Sequence, residues 1–119
     1  MAERIAWIIL ALVHLMPALA AIVPSTISRL YGVDAGSPVF PLLHHRAALF
    51  AVILLVCVWA AVDPAVRQLA VVAVAVSMLS FLAIYLANGQ PASLRIIALV
   101  DLVGLPALAF VAWRAFFSA

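Results

Sequence analysis

Residues 42–50 read Leu-Leu-His-His-Arg-Ala-Ala-Leu-Phe, three basic side chains in a row at the head of a segment that is apolar to Val62. Two more ionisable residues, His14 and Asp101, stand alone inside other apolar runs. Hydrocarbon offers no hydrogen bonds, so in a membrane each of these groups must find a partner or reach water. Residues kept there despite that cost usually serve function. The chemistry open to them is limited. A histidine can act as acid or base, an arginine can position an anionic group, and a carboxylate can pair with either or stay neutral.

Depth follows from a helical rise of about 1.5 Å per residue. His14 lies about 14 Å in from the loop end of its segment, and Asp101 about as far from the turn at 88–91. Both depths count from the same face. Arg46 starts about 7 Å in, and its long side chain covers much of the remaining distance to Asp101. Pairing between Asp101 and Arg46 is therefore the leading expectation, with His14 in reserve. Ser77, Ser80 and Tyr85 occupy the same half of the third segment. The candidate ligand-binding set is thus His14, His45, Arg46, Ser77, Ser80 and Asp101, gathered in one half of the molecule while the other half is nearly all aliphatic. Plainer roles stand beside this one. Arg46, near a helix end, also fits snorkelling to headgroups, and His14 fits a neutral ring bonded to a carbonyl freed near Pro17.

Successive helical residues lie about 100° apart, so His44 and Arg46 point to nearly opposite sides. Ala47, Ala48 and Ala51 share the His44 side, which makes that side the packed one. A bis-histidine haem is disfavoured, because His14 and His44 or His45 differ in depth by about 8–10 Å. No cofactor or metal is expected. Glycine-rich phosphate loops, His-Glu-x-x-His and nucleophile elbows are absent from the sequence. Cys57 is the one cysteine, which excludes an internal disulfide.

The elements that must position these groups are long and apolar. Of 119 residues, 71% are hydrophobic and 8% charged, against about 25% charged in soluble domains. So little polar surface cannot cover a small soluble core, and the chain reads as one integral membrane domain over 1–119. The six basic residues are all arginines, singly placed, so nothing points to nucleic acid.

Four segments, 3–23, 41–62, 64–87 and 92–116, each approach the ~20 residues that cross a hydrocarbon core. Ala18-Leu19-Ala20 also resembles a leader cleavage site, the rival reading of the first segment. Pro17 predicts a kink there, and Gly104 with Pro106 one in the last segment. Residues 25–40 form the longest connection, with a short amphipathic turn over 26–31 that puts Arg29 and Tyr31 at headgroup level. Asp63-Pro64 reads as a helix cap and first-turn proline, joining the second and third segments as antiparallel neighbours. Ala70, Ala73, Ser77 and Ser80 form a small-residue stripe suited to close helix packing. The expected fold is all-α, an antiparallel four-helix membrane bundle with kinked first and last helices. Arg4, Arg67 and Arg114 against Arg29 and Arg95, with Arg46 just inside the latter side, lean the termini to the cytoplasm by one charge at best.

With His14, Pro17, Leu30-Tyr31-Gly32, His45-Arg46 and Asp101 in view, the chain resembles the DoxX-like small four-helix bacterial membrane proteins. The resemblance implies a Tyr-Gly turn after the first helix and an arginine followed by small residues opening the second. It favours His45 and Arg46 as the inward pair, and an inner-membrane location. Most such proteins have no assigned activity, and some are associated with larger redox membrane complexes. In length and helix count the chain also resembles small multidrug transporters, which carry a glutamate in their first helix where this chain has His14.

The leading expectation is a non-catalytic membrane protein that binds a lipid- or quinone-like amphipathic ligand in the polar half, or serves as an accessory subunit beside other membrane subunits. A homo-oligomer is compatible with it. The alternatives are a proton-coupled transporter using His14 and Asp101, and a small membrane enzyme using a histidine and Arg46.

Overall fold

The structure, a computed structural model, describes residues 1–117. Of these, 84% are helical, and no strand occurs among them. The α-helices are α1 (Ala2–Leu19), α2 (Ser25–Tyr31), α3 (Val39–Val62), α4 (Arg67–Ala87) and α5 (Arg95–Phe116). Single 3₁₀ turns, Pro64–Val66 and Ala92–Leu94, lead into α4 and α5. With those turns included, four helices are long and apolar enough to cross a membrane.

The caps follow local chemistry. Asp63 accepts the Ala65 amide at 2.9 Å, and Pro64 takes the first position, where no amide donor is needed. Gly32 ends α2 at φ 65°, a left-handed conformation that a side chain disfavours. α1 stops at Leu19, short of the expected 23, and the chain tightens there. Ala21 and Ile22 amides bond to carbonyls three residues back, Ala18 and Leu19. Pro17, which has no amide of its own, sits one turn before this change.

α1 packs most closely on α3 and also on α5, and α4 packs on α5. Trp7, Leu10, Val74, Met78 and Val111 are fully buried in the main core. α4 buries Ala70, Val71, Val74, Met78, Phe81 and Tyr85. The small stripe of α4 divides, with Ala70 packed in the core while Ala73, Ser77 and Ser80 border a cleft toward α3. Close approach occurs at Gly104, where an added β-carbon would meet Val13 Cγ2 at 2.9 Å and Met78 Cε at 3.0 Å.

One end of the molecule is tied by charge. Glu3 Oε1 accepts from Arg67 Nη1 at 2.9 Å, and Glu3 Oε2 from Arg114 Nε at 3.1 Å. Arg67 also donates to the Ala60 and Ala61 carbonyls, and Arg4 to Ala61. These carbonyls end α3, where helical donors run out. Gln68 donates to the Ala115 carbonyl of α5. α2 folds over the opposite end, with Ile27 and Tyr31 buried against Ala20 and Ala47. Tyr31 thus leaves the expected headgroup position for the interior.

Gly104→Val tests the close approach. Val13 is branched at Cβ and packed, so it cannot swing aside as Met78 can. Overpacking of this kind costs about 1–3 kcal/mol. The variant should unfold correspondingly earlier in detergent, while Gly104→Ala should lose less, since alanine regains up to about 1 kcal/mol of helix propensity. Equal stability of Gly104→Val and the parent would refute the contact.

Candidate functional site

Arg46, Ser77 and Ser80 line one cleft of about 550 Å³ between α3 and α4, whose walls are otherwise mainly apolar, among them Phe50, Ile53 and Val76. The Arg46 guanidinium carbon stands 4.8 Å from the Phe50 ring centroid, 5.5 Å from Phe81 and 5.7 Å from Tyr31. α3 supplies Arg46 and Phe50 one turn apart, α4 supplies Phe81, and α2 brings Tyr31 in from the end. Burial pushes the Tyr31 phenol above its ordinary pKa, and Arg46 beside it offsets part of that rise. Tyr31 therefore meets the guanidinium as a neutral ring. Among the described residues Arg46 has no hydrogen bond and no ion pair.

His14 stands behind this cleft, 2% exposed. Its Nδ1 lies 2.9 Å from the Leu10 carbonyl and its Nε2 3.3 Å from Ser77 Oγ. A carbonyl can only accept, so Nδ1 carries a proton. In the neutral ring Nε2 then accepts the Ser77 hydroxyl. The carbonyl used is that of Leu10, one turn back, rather than one freed near Pro17. The ring also lies 6.1 Å from Phe50, centroid to centroid. His14 thus supports two lining residues, Ser77 and Phe50.

The three neighbours His44, His45 and Arg46 separate as their helical phases require. His44 Nε2 donates to the Ala21 carbonyl at 3.0 Å, locking α3 to the turn after α1. Of the three alanines expected to mark this side as packed, Ala47 is buried, Ala51 is half-buried and Ala48 is exposed. His45 is exposed, so it does not form the inward pair with Arg46, and it lines neither the cleft nor the cavity around Asp101. α3 lies against α1 on the His44 side and against the cleft on the Arg46 side, which leaves His45 facing outward.

Asp101 is 8% exposed, but it does not join Arg46. Among the described residues the ion pairs recorded are those of Glu3. The charge of Arg46 reaches Asp101 without a bond between them. Asp101 lines a separate cavity of about 230 Å³ with Pro17, Leu30 and Val100. α5 packs on α1 and α4, and Asp101 faces the α1 side. Equal depth along two helices does not make two residues neighbours.

Sequence reasoning missed the Arg46 ring cage. The available signal was Phe50 one turn after Arg46, together with Tyr31-Gly32 closing a short helix. No three His, Cys, Asp or Glu side chains gather into a metal-binding group among the described residues. Neither a family model, nor a curated protein, nor a solved structure matches the chain.

The His14–Ser77 bond can be weighed by a double-mutant cycle of His14→Phe and Ser77→Ala, read by unfolding in detergent. Bonds of this kind between helices average about 0.6 kcal/mol and reach about 1.7. A coupling in that range is expected. Strictly additive losses would show that the two side chains do not interact.

Proposed function

We propose that this is an integral membrane protein of a bacterial inner membrane, a single domain whose four long helices cross as an antiparallel bundle with bends at Pro17 and Pro106. In this reading the α3–α4 cleft binds an amphipathic molecule with an oxygen-bearing, hydrogen-bond-accepting head. A lipid phosphate or a quinone-like carbonyl fits that description. Membership of the DoxX-like group, and a place beside other membrane subunits, belong to the same proposal and rest on the short motifs around Tyr31-Gly32 and Arg46.

The membrane reading is supported by exposure. Leu42, Leu55, Leu69, Val76, Ile96 and Val103 are all large, apolar and exposed, and apolar exposure on this scale suits contact with lipid. The longest dimension, 51 Å, spans the ~40–45 Å of a bilayer with its headgroups. The antiparallel reading is supported by Glu3, which ties the start of α1 to the start of α4 and the end of α5.

One observation carries the ligand reading. Arg46 lines a largely apolar cleft with its five N–H donors unmatched among the described residues. Ring faces attract the cation but cannot accept its hydrogen bonds as an oxygen does. An oxygen head at Arg46, with Ser77 and Ser80 beside it and a tail along Ile53 and Val76, satisfies both parts. Binding is favoured over proton-coupled transport by what lies beyond His14. Leu10, Val74 and Val111 are buried there, and the polar atom among them, Trp7 Nε1, has no hydrogen-bond partner among the described residues.

Native mass spectrometry of protein extracted in mild detergent tests this reading, with dioctanoyl phosphatidic acid and a decyl-quinone as added probes. One of the two should bind the parent and bind Arg46→Gln at least about tenfold more weakly, the equivalent of one charge-assisted hydrogen bond. Equal binding by parent and variant, or no binding of either probe, would sink it.

We also place both termini in the cytoplasm, following the arginines at positions 4, 67 and 114. A reporter fused to the C-terminus should be active only when it requires the cytoplasm. Activity confined to a periplasm-dependent reporter would reverse the assignment.

A further inference from the structure

The second cavity presents the opposite chemistry to the cleft. It lies where α1, α2 and α5 meet, holds about 230 Å³, and has Leu12, Met16, Leu30 and Val100 among its apolar walls. Asp101 lines it, 8% exposed, with no hydrogen bond and no ion pair among the described residues. Val13 and Pro17 line the same space. The cavity therefore offers the Asp101 carboxyl at one place and hydrocarbon over most of the rest.

Three simple occupants fit poorly. The cavity opens between the exposed side chains of Leu12, Met16, Ile96 and Val100; an ordered water needs two to four polar partners, and Asp101 is the one polar side chain in this wall. An acyl chain would fill the volume and leave the carboxyl without a donor, at the cost that burial of an unpaired polar group carries. Arg46 is held among three rings on the α3 side and does not reach across. A molecule with one N–H-bearing cationic end and a compact apolar body matches both the carboxyl and the walls. The volume is below the roughly 300–1,000 Å³ typical of sites for drug-sized ligands, which limits the body to about one ring or a short branched chain.

We propose that the cavity around Asp101 is a binding site for a small lipophilic primary or secondary ammonium compound, with Asp101 as its counter-ion. This site is distinct from the α3–α4 cleft and does not depend on what binds there. The ammonium group could belong to a free amine or to a lipid headgroup.

The test uses the full chain in nanodiscs of phosphatidylcholine, whose headgroup has no N–H. The probes are 4-fluorophenethylamine and its neutral counterpart, 4-fluorophenethyl alcohol, followed by fluorine NMR titration. The amine should bind saturably and at least about tenfold more tightly than the alcohol, as expected for a charge-assisted bond. Asp101→Asn, which keeps the size of the side chain, should erase that preference. Val100→Trp, which fills the cavity from its wall while leaving the carboxyl in place, should remove saturable binding of both probes. Equal binding of the two probes by the parent would overturn the proposal. So would a preference that survives in Asp101→Asn, or binding unaffected by Val100→Trp. Adding phosphatidylethanolamine to the nanodiscs identifies the source, since a headgroup ligand would displace the amine probe and a free amine would be the natural occupant otherwise. Because none of these arms uses Arg46 or an anionic probe, failure here leaves the cleft reading standing, and the reverse holds too.

Discussion

Glu3 is the interaction on which the arrangement of the helices most depends. Its two carboxylate oxygens take Arg67 and Arg114 separately, so one side chain fixes the starts of α1 and α4 and the end of α5. Arg67 then spends its remaining donors on the carbonyls that end α3. The charges also suit the helices they end. Glu3 lies in the first turn of α1 and Arg114 in the last turn of α5, each opposite in sign to the local dipole. Glu3 is 14% exposed at its side chain, so the network escapes much of the screening that makes surface pairs weak. The cleft that holds Arg46 and the cavity that holds Asp101 both lie toward the opposite end, the one that α2 covers.

The composition and the length of each apolar run were enough to read the helices. The turn at Asp63-Pro64 was equally plain, because its cap chemistry is local. What the sequence hid was azimuth. Counting residues gives the height of Arg46 and Asp101, but their pairing depends on which helices stand side by side. α5 packs on α1 and α4, while Arg46 leaves α3 on its α4 side. The expected pair fails for that reason alone. The His44 face illustrates the opposite case. Ala47 one turn on marked that side as packed, and His44 indeed bonds to Ala21 there, whereas the motif resemblance pointed to His45. The role of Glu3 was also out of reach, since an acid in a first turn is commonplace and its partners lie 64 and 111 residues away.

The small residues of α4 show how the same sequence feature supports two structures. Alanine and serine at spacings of three and four permit a helix to approach closely. Here the neighbouring α3 does not take that space and lies most closely against α1. Three of its members, Ala73, Ser77 and Ser80, border a cleft instead, and Ser77 turns inward to His14. The close approach moves to Gly104, where α5 meets Val13 and Met78 without any β-carbon between them.

The position of Arg46 can be argued from energies. An ion pair with Asp101 would remove two charges from water, and attraction in the interior repays that cost only when the geometry is good and the remaining donors are met. Neighbouring helices do not offer such geometry. Three aromatic faces within 6 Å of the guanidinium carbon each contribute about 0.5–2 kcal/mol, the upper value applying where water is excluded. Their sum holds the cation where it stands. Yet the rings satisfy charge through their faces and leave the in-plane N–H donors unmatched. An arginine so fixed loses little further side-chain freedom when an oxygen arrives, which is the condition under which a buried donor set becomes a binding site rather than a structural cost.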